Sequence, residues 1–140
     1  DSAKIAIQII KDKPFLGVGF NTYRYTQIKY GFRNPVNSRA SHADAGTDNS
    51  FLFIFATTGI VGLIFYLNLL WKILKTSYRN YKKYKDGHFQ RYIATIIIAS
   101  IGGIMVNSLF INSLFYSGIV IWLWILLGLI SKNDPSTSSG

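Results

Sequence analysis

Charged residues are missing from two long stretches of the chain, and those stretches predict its main elements. The first, Ser50 to Trp71, contains the run FLFIFATTGIVGLIFYLNLLW. Its 21 residues, at about 1.5 Å per residue, span roughly the 30 Å hydrocarbon core of a bilayer. The second, Tyr92 to Ser131, is 40 residues without Asp, Glu, Lys, Arg or His. That is too long for one span and suits two helices joined by a turn, which the polar cluster Asn107, Ser108, Asn112 and Ser113 would supply. The expectation is an all-α integral membrane protein with three transmembrane helices, one over 50–71 and a hairpin over 92–131.

Charge gives the expected orientation. Residues 72–91 carry seven Lys and Arg against Asp86 alone, and so short and basic a loop is expected on the cytoplasmic side. Tyr78, Tyr81 and Tyr84 interleave with those bases, but between two spans this reads as lipid contact rather than nucleic-acid binding. Residues 1–49, net +3, then form an extracytoplasmic segment, and 132–140 a cytoplasmic disordered tail. An outer segment starting at Asp1 without a leader-like apolar stretch leads to the expectation of further spans upstream, this being the C-terminal part of a larger polytopic protein.

Composition then narrows the chemistry. The chain has 140 residues, a formal charge of +9, no Cys and no Glu, so Cys-ligated metal sites and paired-glutamate catalysis are excluded. Within 1–49, Ala3, Ile5, Ala6, Ile9 and Ile10 keep a helical rhythm that ends at Lys13 before Pro14, predicting a short surface helix. In PFLGVGFNTYRY, Gly17 and Gly19 permit a sharp turn, and Asn21 could cap a second short helix carrying Tyr23, Arg24 and Tyr25. The following stretch to Asn49, rich in Gly, Asn, Ser and Asp, predicts an irregular loop. Arg24, Arg33 and Arg39 are candidates for binding phosphate oxygens, and His42, Asp44 and Asp48 for accepting a proton. Taken singly, each is equally an ordinary solvated residue, and one His with two Asp at irregular spacing does not make a metal site.

The run DNSFLFIFATTGIVG resembles the signature of the O-antigen ligase and polysaccharide polymerase superfamily of bacterial membrane glycosyltransferases. There an outward-facing His or a substitute is followed by Asn, nine residues, Gly, two residues and Gly. Here Asp48 and Asn49 are followed by Ser50 to Thr58, then Gly59, and Gly62 three positions later. PFLGVGFNTY is similar to the family's segment preceding its large outer loop. The resemblance implies transfer or polymerisation of an undecaprenyl-pyrophosphate-linked oligosaccharide onto a glycan or lipid acceptor, at the outer face of the bacterial cytoplasmic membrane and without metal or cofactor. It implies that Asp48 activates the acceptor hydroxyl, with His42 as the next candidate, and that Arg24, Arg33, Arg39 and Asn49 contact substrate. The ligase branch has His where this chain has Asp48, so the polymerase branch is favoured. The family also uses an Arg from a segment upstream of Asp1.

Two readings compete. A transporter or flippase half would be expected to place ionisable residues inside its spans, and these runs have none. A structural subunit would use the basic loop to hold a partner or anionic lipid. Asp48 also has a non-catalytic alternative, as cap of the helix starting near Ser50.

Overall fold

A computed structural model describes residues 2–32, 47–112 and 116–132, and every element among them is an α-helix. In chain order these are α1 (Ser2–Asp12), α2 (Tyr23–Lys29), α3 (Ser50–Lys83), α4 (Phe89–Phe110) and α5 (Ser117–Lys132). Arg33, Arg39, His42, Asp44 and the tail from 133 lie outside the described residues. The chain divides into two compact units, one holding residues up to 66 with 108–112, the other 67–107 with those from 113 onward.

Two helices, α3 and α4, are long and apolar enough to cross a membrane. Only 33% of the apolar stretch of α3 and 22% of that of α4 is buried against protein, whereas the core helix of a soluble protein would be mostly covered. The expected third span corresponds to α5, which has 16 residues and at about 24 Å is shorter than the hydrocarbon core. The basic stretch begins as helix: α3 continues past Trp71 to Lys83, leaving a connection of 84–88 around Gly87. Lys, Arg and Tyr are competent in helices, and no Gly or Pro interrupts before Gly87, so the change in charge does not end the helix.

In the first unit, α1 turns Ala6 and Ile9, both fully buried, onto Tyr23, Phe53 and Ala56. This apolar face of α1 is therefore spent on protein. Phe53 is the centre of the cluster, meeting Tyr23 edge-on at 5.3 Å and Phe20 at 5.6 Å. Such ring pairs contribute about 0.5–1.5 kcal/mol beyond their buried area.

The helix α3 is broken. Gly59 has φ 69° and ψ −172°, a combination confined essentially to Gly. An unbroken helix would pair the Ile60 N–H with the Ala56 carbonyl and the Val61 N–H with that of Thr57. Instead, all four groups bond to the segment after α1. Val18 and Gly19 donate to the Ala56 and Thr57 carbonyls at 3.0 and 2.8 Å, and Ile60 and Val61 donate to the Pro14 and Phe15 carbonyls at 2.9 and 3.5 Å. The Thr57 and Thr58 hydroxyls donate back to the Phe53 and Ile54 carbonyls at 2.7 and 2.8 Å, a pattern that bends helices.

Contact this close requires glycine on both sides. A Cβ on Gly17, itself at φ +64°, would lie 2.5 Å from the Thr57 carbonyl carbon, and one on Gly59 would overlap the Phe15 carbonyl. Gly62 leaves room for the Thr58 side chain one turn earlier in α3, while Gly102 and Gly103 have open space where a Cβ would stand, so only the first two of these four α3 and α4 glycines serve close packing. The segment 14–19, expected wholly above the first span, therefore lies beside residues 56–61 of its apolar run. In hydrocarbon a broken backbone persists only if every peptide group is paired, which this exchange achieves for all four.

Candidate active site

The start of α3 is held from two directions. Asn49 is its N-cap: the side-chain oxygen accepts the Leu52 N–H at 3.0 Å, and the side-chain nitrogen donates to the Leu109 carbonyl at 3.0 Å. Ser50 Oγ donates to the Ile111 carbonyl at 3.0 Å. The Leu109 carbonyl is among the last four of α4, which have no partner within their own helix, so the Asn-Ser pair caps one helix and satisfies the end of another. The capping role considered for Asp48 thus belongs to Asn49, both ends of whose amide are engaged by the protein.

Asp48 projects from this anchored base. Thr47 before it is 2% exposed and Ser50 after it fully buried, while Asp48 itself is exposed. The Thr47 hydroxyl has no hydrogen-bond partner among the described residues. The bonds of Asn49 and Ser50 fix the backbone that follows Asp48, and Asp48 lies at the surface beside them.

Arg24, half-buried, is carried by α2, directly after the Tyr23 whose ring meets Phe53 one turn inside α3. The N-cap of α2 is Thr22 rather than the expected Asn21; it has helical φ and ψ and makes no side-chain cap bond. Burial pushes the Tyr23 phenol above its ordinary pKa, with Gln27 acting in the opposite sense.

Beside α2 lies a cavity of about 500 Å³ that the sequence did not indicate, with Lys13, Thr22, Tyr25, Lys29 and Tyr30 among its lining. Tyr30 donates a hydrogen bond to Asp12 Oδ2, tying the end of α2 to the end of α1, and this bond raises the phenol's pKa. Two ammonium groups, a hydroxyl and two phenol rings suit an anionic sugar derivative, the cations meeting phosphate and the rings a sugar face. Lys13 and Lys29 are sixteen positions apart, and only the Gly17–Gly19 turn brings them to one cavity.

Of the residues singled out from sequence, Asp48, Asn49, Arg24, Gly17, Gly19, Gly59 and Gly62 all belong to this unit. Among the described residues no three His, Cys, Asp or Glu side chains gather as metal ligands. Residues 1–67 match the O-antigen ligase family. The resemblance carried by PFLGVGFNTY and by Asp48 to Gly62 is thus shown over the stretch that holds both motifs. The matched stretch ends just beyond Tyr66, where the first unit hands over to the second, so it takes in α1, α2, the broken part of α3 and the cavity. No curated protein and no solved structure matches the chain. The family match supports a membrane enzyme of the ligase or polymerase type in surface polysaccharide biosynthesis, and such enzymes imply lipid-linked glycan substrates.

Proposed function

We propose that the chain serves a glycosyltransferase reaction that polymerises lipid-linked oligosaccharide, with Asp48 as the general base. The observation that supports this reading is that exposed Asp48 directly precedes Asn49 and Ser50, whose hydrogen bonds fix the start of α3. In the reaction Asp48 takes the proton of the acceptor sugar hydroxyl, and that oxygen forms a bond to the anomeric carbon of the donor sugar. The bond from that carbon to the pyrophosphate oxygen breaks, and undecaprenyl pyrophosphate leaves with the electron pair. Arg24, Lys13 and Lys29, with Arg33 and Arg39, are the cations available to stabilise the departing charge, and no metal is needed to supply it. His42 is the alternative base. Residues 1–49 face outward in this reading, α3, α4 and α5 span the cytoplasmic membrane, and residues 72–91 face the cytoplasm.

The transporter reading gains no support from the break in α3. Broken helices in transporters present unpaired backbone groups to substrate or ion, whereas here the four groups freed at Gly59 are paired with residues 14–19.

The test is transfer by the full-length protein from a lipid-linked donor. Asp48→Asn keeps an exposed polar side chain and removes the base, and turnover should fall by roughly 10² to 10⁴. A folded Asp48→Asn protein turning over at the wild-type rate would sink the assignment. Deleting the gene separates the two family activities: loss of long chains with single repeats retained marks a polymerase, and loss of lipid attachment marks a ligase.

A further inference from the structure

The second unit carries a crevice with a chemical gradient along it. Here α3 packs Leu70, Ile73, Ser77 and Asn80 inward, and α4 packs Ala94, Ile97 and Ile101. Beside that buried seam two apolar hollows of about 360 Å³ each follow one another along the helix pair. The upper is lined by Trp71, Leu74, Lys75, Tyr78 and Ile98, and the lower continues from Tyr78 and Ile98 past Tyr81 and Thr95. From Trp71 to Tyr81 is ten residues of helix, so the two hollows form one apolar track about 15 Å long.

The cations sit toward one end of this crevice. The Lys82 ammonium lies 4.9 Å from the centre of the Tyr78 ring, and that of Lys83 lies 5.6 Å from the centre of the Tyr84 ring. Lys75 lines the upper hollow itself, one turn before Tyr78, over whose ring the Lys82 ammonium lies. Asp86, the only acid between 72 and 91, is engaged by Arg91 at 2.9 Å, and Arg91 is further fixed over the Tyr81 ring at 4.4 Å. The local acid therefore does little to offset the lysines.

We propose that this crevice is a binding site for one anionic phospholipid of the leaflet at the basic end of α3. An acyl chain lies along Trp71, Leu74, Tyr78 and Ile98, and the phosphate meets Lys75, Lys82 and Lys83. The choice of occupant rests on charge complementarity and on the apolar track that runs beside the lysines, and it is independent of the reaction proposed for the first unit.

The test uses the full-length protein, stripped of lipid in detergent and mixed with phosphatidylglycerol or phosphatidylcholine of identical chains, with bound lipid counted by native mass spectrometry. Phosphatidylglycerol should be retained in preference. Each lysine removed should reduce that preference about fivefold, so that Lys75→Gln, Lys82→Gln and Lys83→Gln together should abolish it. Ala99→Phe, at an exposed position lining the lower hollow, should lower retention of phosphatidylglycerol with all charges in place. Equal retention of the two lipids, or a triple variant with its preference intact, would overturn the proposal. So would a disulfide joining two chains through Ile98→Cys in native membranes, since protein would then occupy the crevice.

Discussion

Replacing Gly59 by Ala tests the broken helix most directly. Two costs arise. The backbone at φ 69°, ψ −172° costs a residue with a Cβ about 1–3 kcal/mol. The methyl group would also overlap the Phe15 carbonyl, so segment 14–19 must withdraw. Closing α3 into a continuous helix would relieve both, regaining the Ile60 and Val61 bonds within the helix. It would strand the Pro14 and Phe15 carbonyls and the Val18 and Gly19 N–H groups beside the apolar run, and each group left unpaired out of water costs about 1–3 kcal/mol. By either route the loss should be at least about 3 kcal/mol. Gly87→Ala is the control: its φ is +85° but nothing lies within 4 Å of the added carbon, so only about 1–2 kcal/mol of backbone strain applies. Unfolding of the two variants in mixed micelles, followed by helical circular dichroism against denaturing detergent, measures the difference. Gly17→Ala should behave like Gly59→Ala, and the double variant should lose much less than the sum, because either change alone opens the same lock. Equal destabilisation by Gly59→Ala and Gly87→Ala would refute the reasoning.

Three further outcomes are expected. Asn49→Ala should cost about 0.5–2 kcal/mol in the same unfolding assay through loss of the cap, more if the Leu109 carbonyl is left unpaired, and Asn49→Asp, which keeps the acceptor for the Leu52 N–H, should recover part of it. Lys13→Gln with Lys29→Gln should raise KM for the lipid-linked donor more than tenfold while leaving thermal stability within about 0.5 kcal/mol, and an unchanged KM would remove the cavity from the substrate path. Cysteines at Ser38 and Lys83 in the full-length protein should react with an impermeant maleimide from outside and only after permeabilisation, respectively; labelling of Lys83→Cys in intact cells would reverse the orientation.

What the sequence made legible follows from which signals are local. The uninterrupted apolar runs and the 3.6-residue rhythm of Ile5, Ala6, Ile9 and Ile10 are properties of neighbouring residues, and α1, α3 and α4 appear where these lie. Charge does not mark the end of α3, because a helix stops for backbone reasons, and this one continues through Lys72 and Arg79 to Lys83. The break at Gly59 was invisible to hydropathy: ATTGIVG scans as unbroken apolar helix, and the cause is a segment forty residues earlier. The motif spacing did mark Gly17 and Gly59, without showing that they face each other. The cavity lysines and the cap at Asn49 were likewise settled by tertiary placement, which turned attention from Arg alone to Lys13 and Lys29. Arg33, Arg39, His42 and Asp44 remain candidates on sequence grounds.

The pairing of residues 14–19 with 56–61 also governs how freely the chain between can change. It consists of backbone bonds, so beyond the glycines that permit the approach it demands little of side chains. It pins the beginning of an intervening stretch at Gly19, and Asn49 pins the end. The entropy of closing such a loop grows only with the logarithm of its length, about 0.6 kcal/mol for each doubling. Insertions or deletions between Gly19 and Asn49 should therefore cost little stability, while Asp48 keeps its place before the anchored pair Asn49 and Ser50.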